Sequence, residues 1–171
     1  MTFWYATTLF VHSWLRWGVL GMAVACAVRA RLGWAARRPF GPTDARMLRA
    51  FVGLVDTQLL LGLLLYAVLS PIAAAGWQNL SAAMGHAVPR FFAIEHPLAM
   101  LIGVVVLHVG LRRAKHRGAD ARRHQLALRT ILAALLCVLI GIPWPGLPYA
   151  RPLARGAVWG AGATPAVSAP Q

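Results

Sequence analysis

Four apolar stretches, each close to twenty residues long, decide what this chain can fold into. They cover residues 3–28, 48–69, 91–111 and 126–142. An α-helix rises ~1.5 Å per residue, so about 20 residues cross the ~30 Å hydrocarbon core of a bilayer. In lipid a spanning segment has to satisfy its own backbone polar groups, which a helix does. The chain has 171 residues, one domain's worth, of which 59% are apolar and 12% charged. A water-soluble domain of that size would leave too much apolar surface in contact with water. The sequence therefore predicts an all-α, integral membrane four-helix bundle over residues 1–150. Residues 151–171, small and proline-rich without periodicity, read as a flexible outer tail.

Charge supplies the orientation. Seventeen basic against four acidic residues leave a net +13. The basic residues sit in short stretches between the apolar runs, beside anionic headgroups, and this distribution argues against a nucleic acid partner. Arg29, Arg31, Arg37, Arg38, Arg46 and Arg49 flank the first loop; Arg112, Arg113, Lys115, Arg117, Arg122, Arg123 and Arg129 flank the third. The second loop, residues 70–90, has one arginine. The positive-inside bias places loops one and three in the cytoplasm and both termini on the outer, periplasmic side of a bacterial inner membrane. Trp4, Tyr5, Trp77, Trp144 and Tyr149 then fall near the outer interface as an aromatic belt. The N-terminus lacks the basic leader and cleavage site of a removable signal peptide. Cys26 and Cys137 lie at different expected depths and read as two small buried hydrophobes.

Polar side chains inside the apolar runs are the candidates for chemistry, because each is costly in lipid and needs a partner. They are His12 and Arg16 in the first run, Asp56 and Gln58 in the second, and Glu95, His96 and His108 in the third. With Phe3 and Phe91 at the outer edge, His12 lies about 13 Å deep and His96 about 8 Å deep, near enough for one shared site. His108 is about 18 Å deeper than His96 and belongs to the inner half. Arg16 and Asp56 come to similar depths, so an Arg16–Asp56 ion pair is expected as a structural lock. Two imidazoles on separate helices suit axial ligation of a heme iron. Thr8, His12 and Arg16 share one helix face; His96, Met100 and Gly103 form a stripe on another. Each ligating imidazole needs a partner for its second ring nitrogen, and Glu95, adjacent to His96 but about 100° around the helix, is not automatically that partner. Arg90, at the outer interface, is a candidate partner for heme propionates. His108 reads as structural or as ligand to a second, inner heme, with His124 as a remote partner. Gly18, Gly21, Gly53, Gly62 and Gly103 fit close helix contacts. The competing reading is that these polar residues only specify helix packing.

The segments "HSWLRW", "FAIEHPLAMLIGVVVLHVG" and "GIPWPG" resemble a family of small bacterial four-helix membrane proteins labelled cytochrome b-like, over roughly residues 10–147. The resemblance implies a heme-binding, electron-transfer role, with His12 and Glu95–His96–Pro97 as signature positions. The chain lacks the regular paired histidines of a diheme cytochrome. The expected function is thus electron transfer through one heme b between the first and third spanning helices. A quinone or a periplasmic carrier would be the redox partner, within a larger membrane complex. The alternatives are a non-redox scaffold or assembly subunit, and a small transporter with Asp56 in its path. No nucleophile–base pair or metal-activated water site is legible.

Overall fold

The computed structural model describes residues 2–116 and 118–155. In chain order the helices are α1 (Thr2–Ala35), α2 (Pro42–Leu64), α3 (Pro71–Gln78), α4 (Leu80–Met84), α5 (Ala87–Arg90), α6 (His96–Lys115) and α7 (Asp120–Gly141). Two single turns of wider, π geometry, Leu65–Leu69 and Phe91–Glu95, extend α2 and precede α6. Four segments are long and apolar enough to cross a membrane: Phe3–Ala35, Pro42–Leu69, Ala87–Lys115 and Asp120–Gly141. The four-helix membrane bundle expected from the sequence is the observed fold.

Local chemistry sets where the helices stop. At the end of α1, Arg37 adopts a left-handed conformation with φ of 49°. Its N–H donates to the Trp34 carbonyl at 3.2 Å, and that of Arg38 to Gly33 at 2.9 Å, which is the paired closure of a Schellman motif. Pro42 opens α2, where its missing N–H costs nothing, and the Asp44 carboxylate reaches back to the Gly41 N–H at 2.9 Å. Ser70 ends the second span and begins α3, its hydroxyl accepting from the Ala73 N–H at 3.3 Å. The second loop folds into α3, α4 and α5 and packs over one end of the bundle.

α1 and α6 each pack against both α2 and α7, which leaves α1 and α6 facing one another across the diagonal. The core joins Val19, Ala23 and Cys26 of α1, Phe51 and Val55 of α2, Leu107 of α6, and Ile131 and Ala134 of α7. Small residues bring the backbones together, as expected where lipid offers no hydrophobic drive between helices. A Cβ on Gly103 would lie 3.2 Å from the Cβ of Cys137, and one on Gly110 would run into Thr130. Gly62 and Gly103 make the close approaches the sequence suggested, Gly18 has only an ordinary contact with Leu54, and Gly21 and Gly53 face open space.

At 34 residues, α1 is longer than a bilayer core requires. About 20 of its residues suffice to span, counted from Ala35, so the hydrated end begins near residue 15. The rest of the chain agrees. Residues 143–155 are irregular, and their backbone is bound to Trp14, Arg16 and Trp17. Lipid-exposed irregular backbone is not tolerated in the hydrocarbon. Part of α1 therefore extends beyond the hydrocarbon core, and residues 151–155 pack along the N-terminal half of that helix. Residues 151–155 are not a loose tail but packed against α1; residues 156–171 lie outside the described residues.

Candidate functional site

His12 on α1 and His96 at the start of α6 meet across the bundle diagonal. Their ring centres are 6.4 Å apart and their planes inclined at 72°. His96 directly follows the wide turn Phe91–Glu95, and such turns re-aim the side chains next to them. The Tyr66 hydroxyl donates to the Ala93 carbonyl at 2.7 Å, tying the two wide turns together. On the other side of His96, Nδ1 donates to the Gly141 carbonyl at 2.7 Å, where α7 ends and a carbonyl is free. That bond fixes the tautomer and leaves Nε2 without a proton.

Gln58 on α2 positions His12. Its amide nitrogen donates to the His12 carbonyl at 3.0 Å and stands 3.3 Å from Nε2 of the ring. His12 Nδ1, Gln58 Oε1 and Arg16 Nε are buried without a partner among the described residues. Orphan polar atoms gathered at one place are unusual in a native interior and point to a ligand or bound water.

These side chains line a cavity with about 190 Å³ of room for water-molecule centres, more than ten times the roughly 15 Å³ one water requires. Gly62, Tyr66, Phe92, Met100 and Gly103 complete much of its wall. Two glycines allow close packing beside the rings. A Cβ on Gly62 would sit 3.2 Å from the His12 ring; one on Gly141 would meet Met100, with His96 Nδ1 3.8 Å away. The His96–Met100–Gly103 stripe read from the sequence does face the cavity.

Three arginines reach the cavity: Arg16, Arg151 and Arg155. Arg16 donates to the Leu153 carbonyl at 2.7 Å, Arg155 Nε to the Ser13 hydroxyl at 3.1 Å, and Arg151 stacks 5.1 Å over the Phe92 ring. Trp17 and Trp14 hold the same segment, donating to the carbonyls of Leu153 at 3.0 Å and Arg155 at 3.1 Å.

The structure redistributes several expected roles. Arg16 and Asp56 do not form an ion pair. Equal depth was not enough, because Arg16 turns toward residues 151–155 while Asp56 faces α6 and pairs with His108 at 3.2 Å. That pair lies on the bundle surface, both side chains 44% exposed, and His108 is outside the cavity wall. His108 Nδ1 also donates to the Val104 carbonyl at 3.0 Å. His124 is no partner for it. His124 is 1% exposed against Gly33 and donates from Nε2 to the Arg38 carbonyl at 3.1 Å. Arg90 is bound to Glu95 at 2.7 Å and lies off the cavity wall. His86 and His116 are exposed. Cys26 and Cys137 are free thiols.

Sequence reasoning missed Gly141, Arg151, Arg155 and Asp44. Only the last carried a local signal, an acid at the third position of a helix opened by Gly-Pro. Asp44 is 3% exposed and accepts from Arg29 Nε at 2.8 Å and from both terminal nitrogens of Arg38 at 2.9 and 2.8 Å. Its carboxylate holds the Arg38 guanidinium above the ordinary arginine value.

Among the described residues, no cluster of three or more His, Cys, Asp or Glu side chains is arranged to hold a metal ion by itself. Fold and site thus define a four-helix membrane bundle with a paired-histidine cavity at the end where residues 151–155 pack on α1. No family model, curated protein or solved structure matches the chain.

Proposed function

We propose that this protein is a b-type cytochrome-like electron-transfer protein of the bacterial inner membrane, holding one heme b between α1 and α6. The observation that carries the reading is the separation of the two imidazoles. Two histidines that shared one iron, each with a bond of about 2 Å and a ring centre about 1 Å beyond the nitrogen, would have centres about 6 Å apart. His12 and His96 stand at 6.4 Å. The macrocycle itself brings four donors, so two protein ligands suffice where three or more would be needed for a bare ion. When bound, the heme supplies a reversible one-electron couple.

The chain's own residues do the rest. The Gly141 carbonyl accepts a hydrogen bond from His96 Nδ1–H and so would leave the Nε2 lone pair of the neutral ring free to ligate the iron. Gln58 fixes His12 from α2. Gly62 and Gly141 leave room beside the two rings. Phe92, Met100 and Val104 give the cavity an apolar stretch of wall. The resemblance of "HSWLRW" and "FAIEHPLAMLIGVVVLHVG" to cytochrome b-like membrane proteins supports the same reading. With the arginine-rich loops in the cytoplasm, the cavity opens toward the periplasmic side, within reach of a periplasmic carrier or a quinone at the interface.

The test is spectroscopic. The full chain is expressed with ample heme, purified in mild detergent, and scanned oxidised and after dithionite. The expected result is a low-spin bis-imidazole spectrum that is lost in both His12→Ala and His96→Ala and kept in His108→Ala. A folded protein that remains colourless overturns the reading.

A further inference from the structure

Every side-chain carboxylate of the chain is already committed elsewhere. The sequence has four: Asp44 binds Arg29 and Arg38, Asp56 binds His108, Glu95 binds Arg90, and Asp120 binds Arg123. Arg16, Arg151 and Arg155 meet none of them. Their partners are a backbone carbonyl, an aromatic face and a serine hydroxyl, all neutral. A guanidinium has five N–H donors, so most of these are unused among the described residues, and Arg16 Nε is buried without a hydrogen-bond partner among them. Burial holds the Arg155 guanidinium below the ordinary arginine value, and the nearby charge of Arg151 pushes in the same direction. Three cations converging on one cavity repel one another unless an anion joins them. The wall they share is otherwise largely apolar, so a ligand that suits it combines an apolar body with acidic groups.

We propose that Arg16, Arg151 and Arg155 form a clamp for two carboxylates at the mouth of the cavity, and that these are the propionates of the heme held by His12 and His96. The inference rests on the heme reading and extends it. It replaces Arg90 with three arginines, two of which come from the segment after the last spanning helix. Residues 151–155 are therefore part of the binding site, fastened to α1 by Trp14 and Trp17. Guanidinium matches carboxylate through two parallel N–H bonds, which gives the clamp selectivity for carboxylates over other acceptors.

The experiment compares two porphyrins on heme-free full-length protein in detergent: iron protoporphyrin IX and its dimethyl ester, which keeps the ring and iron but lacks both carboxylates. Binding is followed by Soret titration. The free acid is expected to bind at least tenfold more tightly than the ester. Each of Arg16→Gln, Arg151→Gln and Arg155→Gln weakens binding of the free acid roughly threefold to tenfold and leaves ester binding unchanged. Arg151→Lys, which keeps the charge, retains most of the preference. Arg151 makes no side-chain hydrogen bond among the described residues, so its variants test the clamp without dismantling the segment. Equal binding of acid and ester, with a bis-imidazole spectrum for both, overturns the clamp and leaves the cofactor assignment standing. If neither porphyrin gives that spectrum, the cofactor reading falls and the clamp with it.

Discussion

The Asp56–His108 pair allows a stability effect to be worked out from hydrogen-bond directions. His108 gives its Nδ1 proton to the Val104 carbonyl, while Nε2 faces an Asp56 oxygen at 3.2 Å. Both neighbours of the ring are acceptors, so the contact is a hydrogen bond only with a proton between Asp56 and His108. The pair is then an imidazolium with a carboxylate, or a neutral imidazole accepting from a carboxylic acid. Either form is neutral overall, as a pair on a lipid-facing surface has to be. Interhelical side-chain hydrogen bonds in membrane proteins contribute about 0.6 kcal/mol on average and up to about 1.7. Removing one partner costs more where the other is left alone. His108→Ala strands a carboxylate, a group that costs about 3 kcal/mol at the centre of a spanning helix. Asp56→Ala strands only a neutral ring. Asp56→Asn keeps a bond, since its amide nitrogen can donate to Nε2. The expected order of destabilisation is His108→Ala, then Asp56→Ala, then Asp56→Asn. The double alanine variant should fall short of the sum of the singles by about 1–2 kcal/mol. At about 2–4 °C per kcal/mol for a chain of this size, a thermal unfolding series in mild detergent resolves these differences. Additivity within about 0.3 kcal/mol, or Asp56→Asn as harmful as His108→Ala, would refute the argument.

Two further stability effects follow from backbone geometry. Arg37 sits in the left-handed region at φ 49°, which costs a residue with a Cβ roughly 1–2 kcal/mol; part of that is offset by the greater unfolded-state freedom of glycine. Arg37→Gly should therefore raise the melting temperature by a few degrees, and no rise would mean that the turn is held differently. Gly21 and Gly110 form a matched pair. A Cβ at Gly21 meets nothing within 4 Å, whereas at Gly110 it meets Thr130 of the neighbouring helix. Gly21→Ala should be neutral or stabilising, and Gly110→Ala should destabilise by about 1–3 kcal/mol. The same melting assay checks both, and the same sign for the two would contradict the packing.

The four spans were legible because length and hydropathy are one-dimensional properties, and a bilayer sets the required length almost independently of detail. The His12–His96 encounter was also legible in part, since helix rise converts residue number into depth. Rotation about the helix axis was not. Arg16 and Asp56 match in depth yet turn to different neighbours, and no count along the chain could separate those outcomes. Nor was the depth of His12 fixed, because α1, at 34 residues, is longer than a bilayer core requires. Nothing in its composition marks where lipid ends. Arg151 and Arg155 were assigned to a loose tail because they follow a proline-rich stretch without periodicity. Their place in the cavity depends on Trp14 and Trp17, more than 130 residues earlier, and on backbone carbonyls that no side-chain pattern encodes.

The two ends of the bundle use the same residue type for opposite purposes. At the end that carries the α1–α2 loop, three arginines are held by the structure. Asp44 gathers Arg29 and Arg38, the Arg38 carbonyl takes the His124 proton, and Arg123 lies 4.2 Å over Phe40 beside that ring. Helix α1 is thereby locked to α2 and α7 through a loop of six residues. At the other end no carboxylate is left for Arg16, Arg151 and Arg155. A scaffold role alone gives no reason for that imbalance, because one acid at Ser13 or Tyr5 would offset part of the charge and strengthen the attachment of residues 151–155. A site meant to receive an anionic ligand has to keep its cations unpaired until the ligand arrives. If the imbalance serves binding, introducing that acid has a definite consequence. Ser13→Asp should raise the melting temperature of the heme-free protein and weaken its affinity for iron protoporphyrin IX, moving stability and binding in opposite directions. A scaffold that binds nothing would show the first effect without any loss to accompany it.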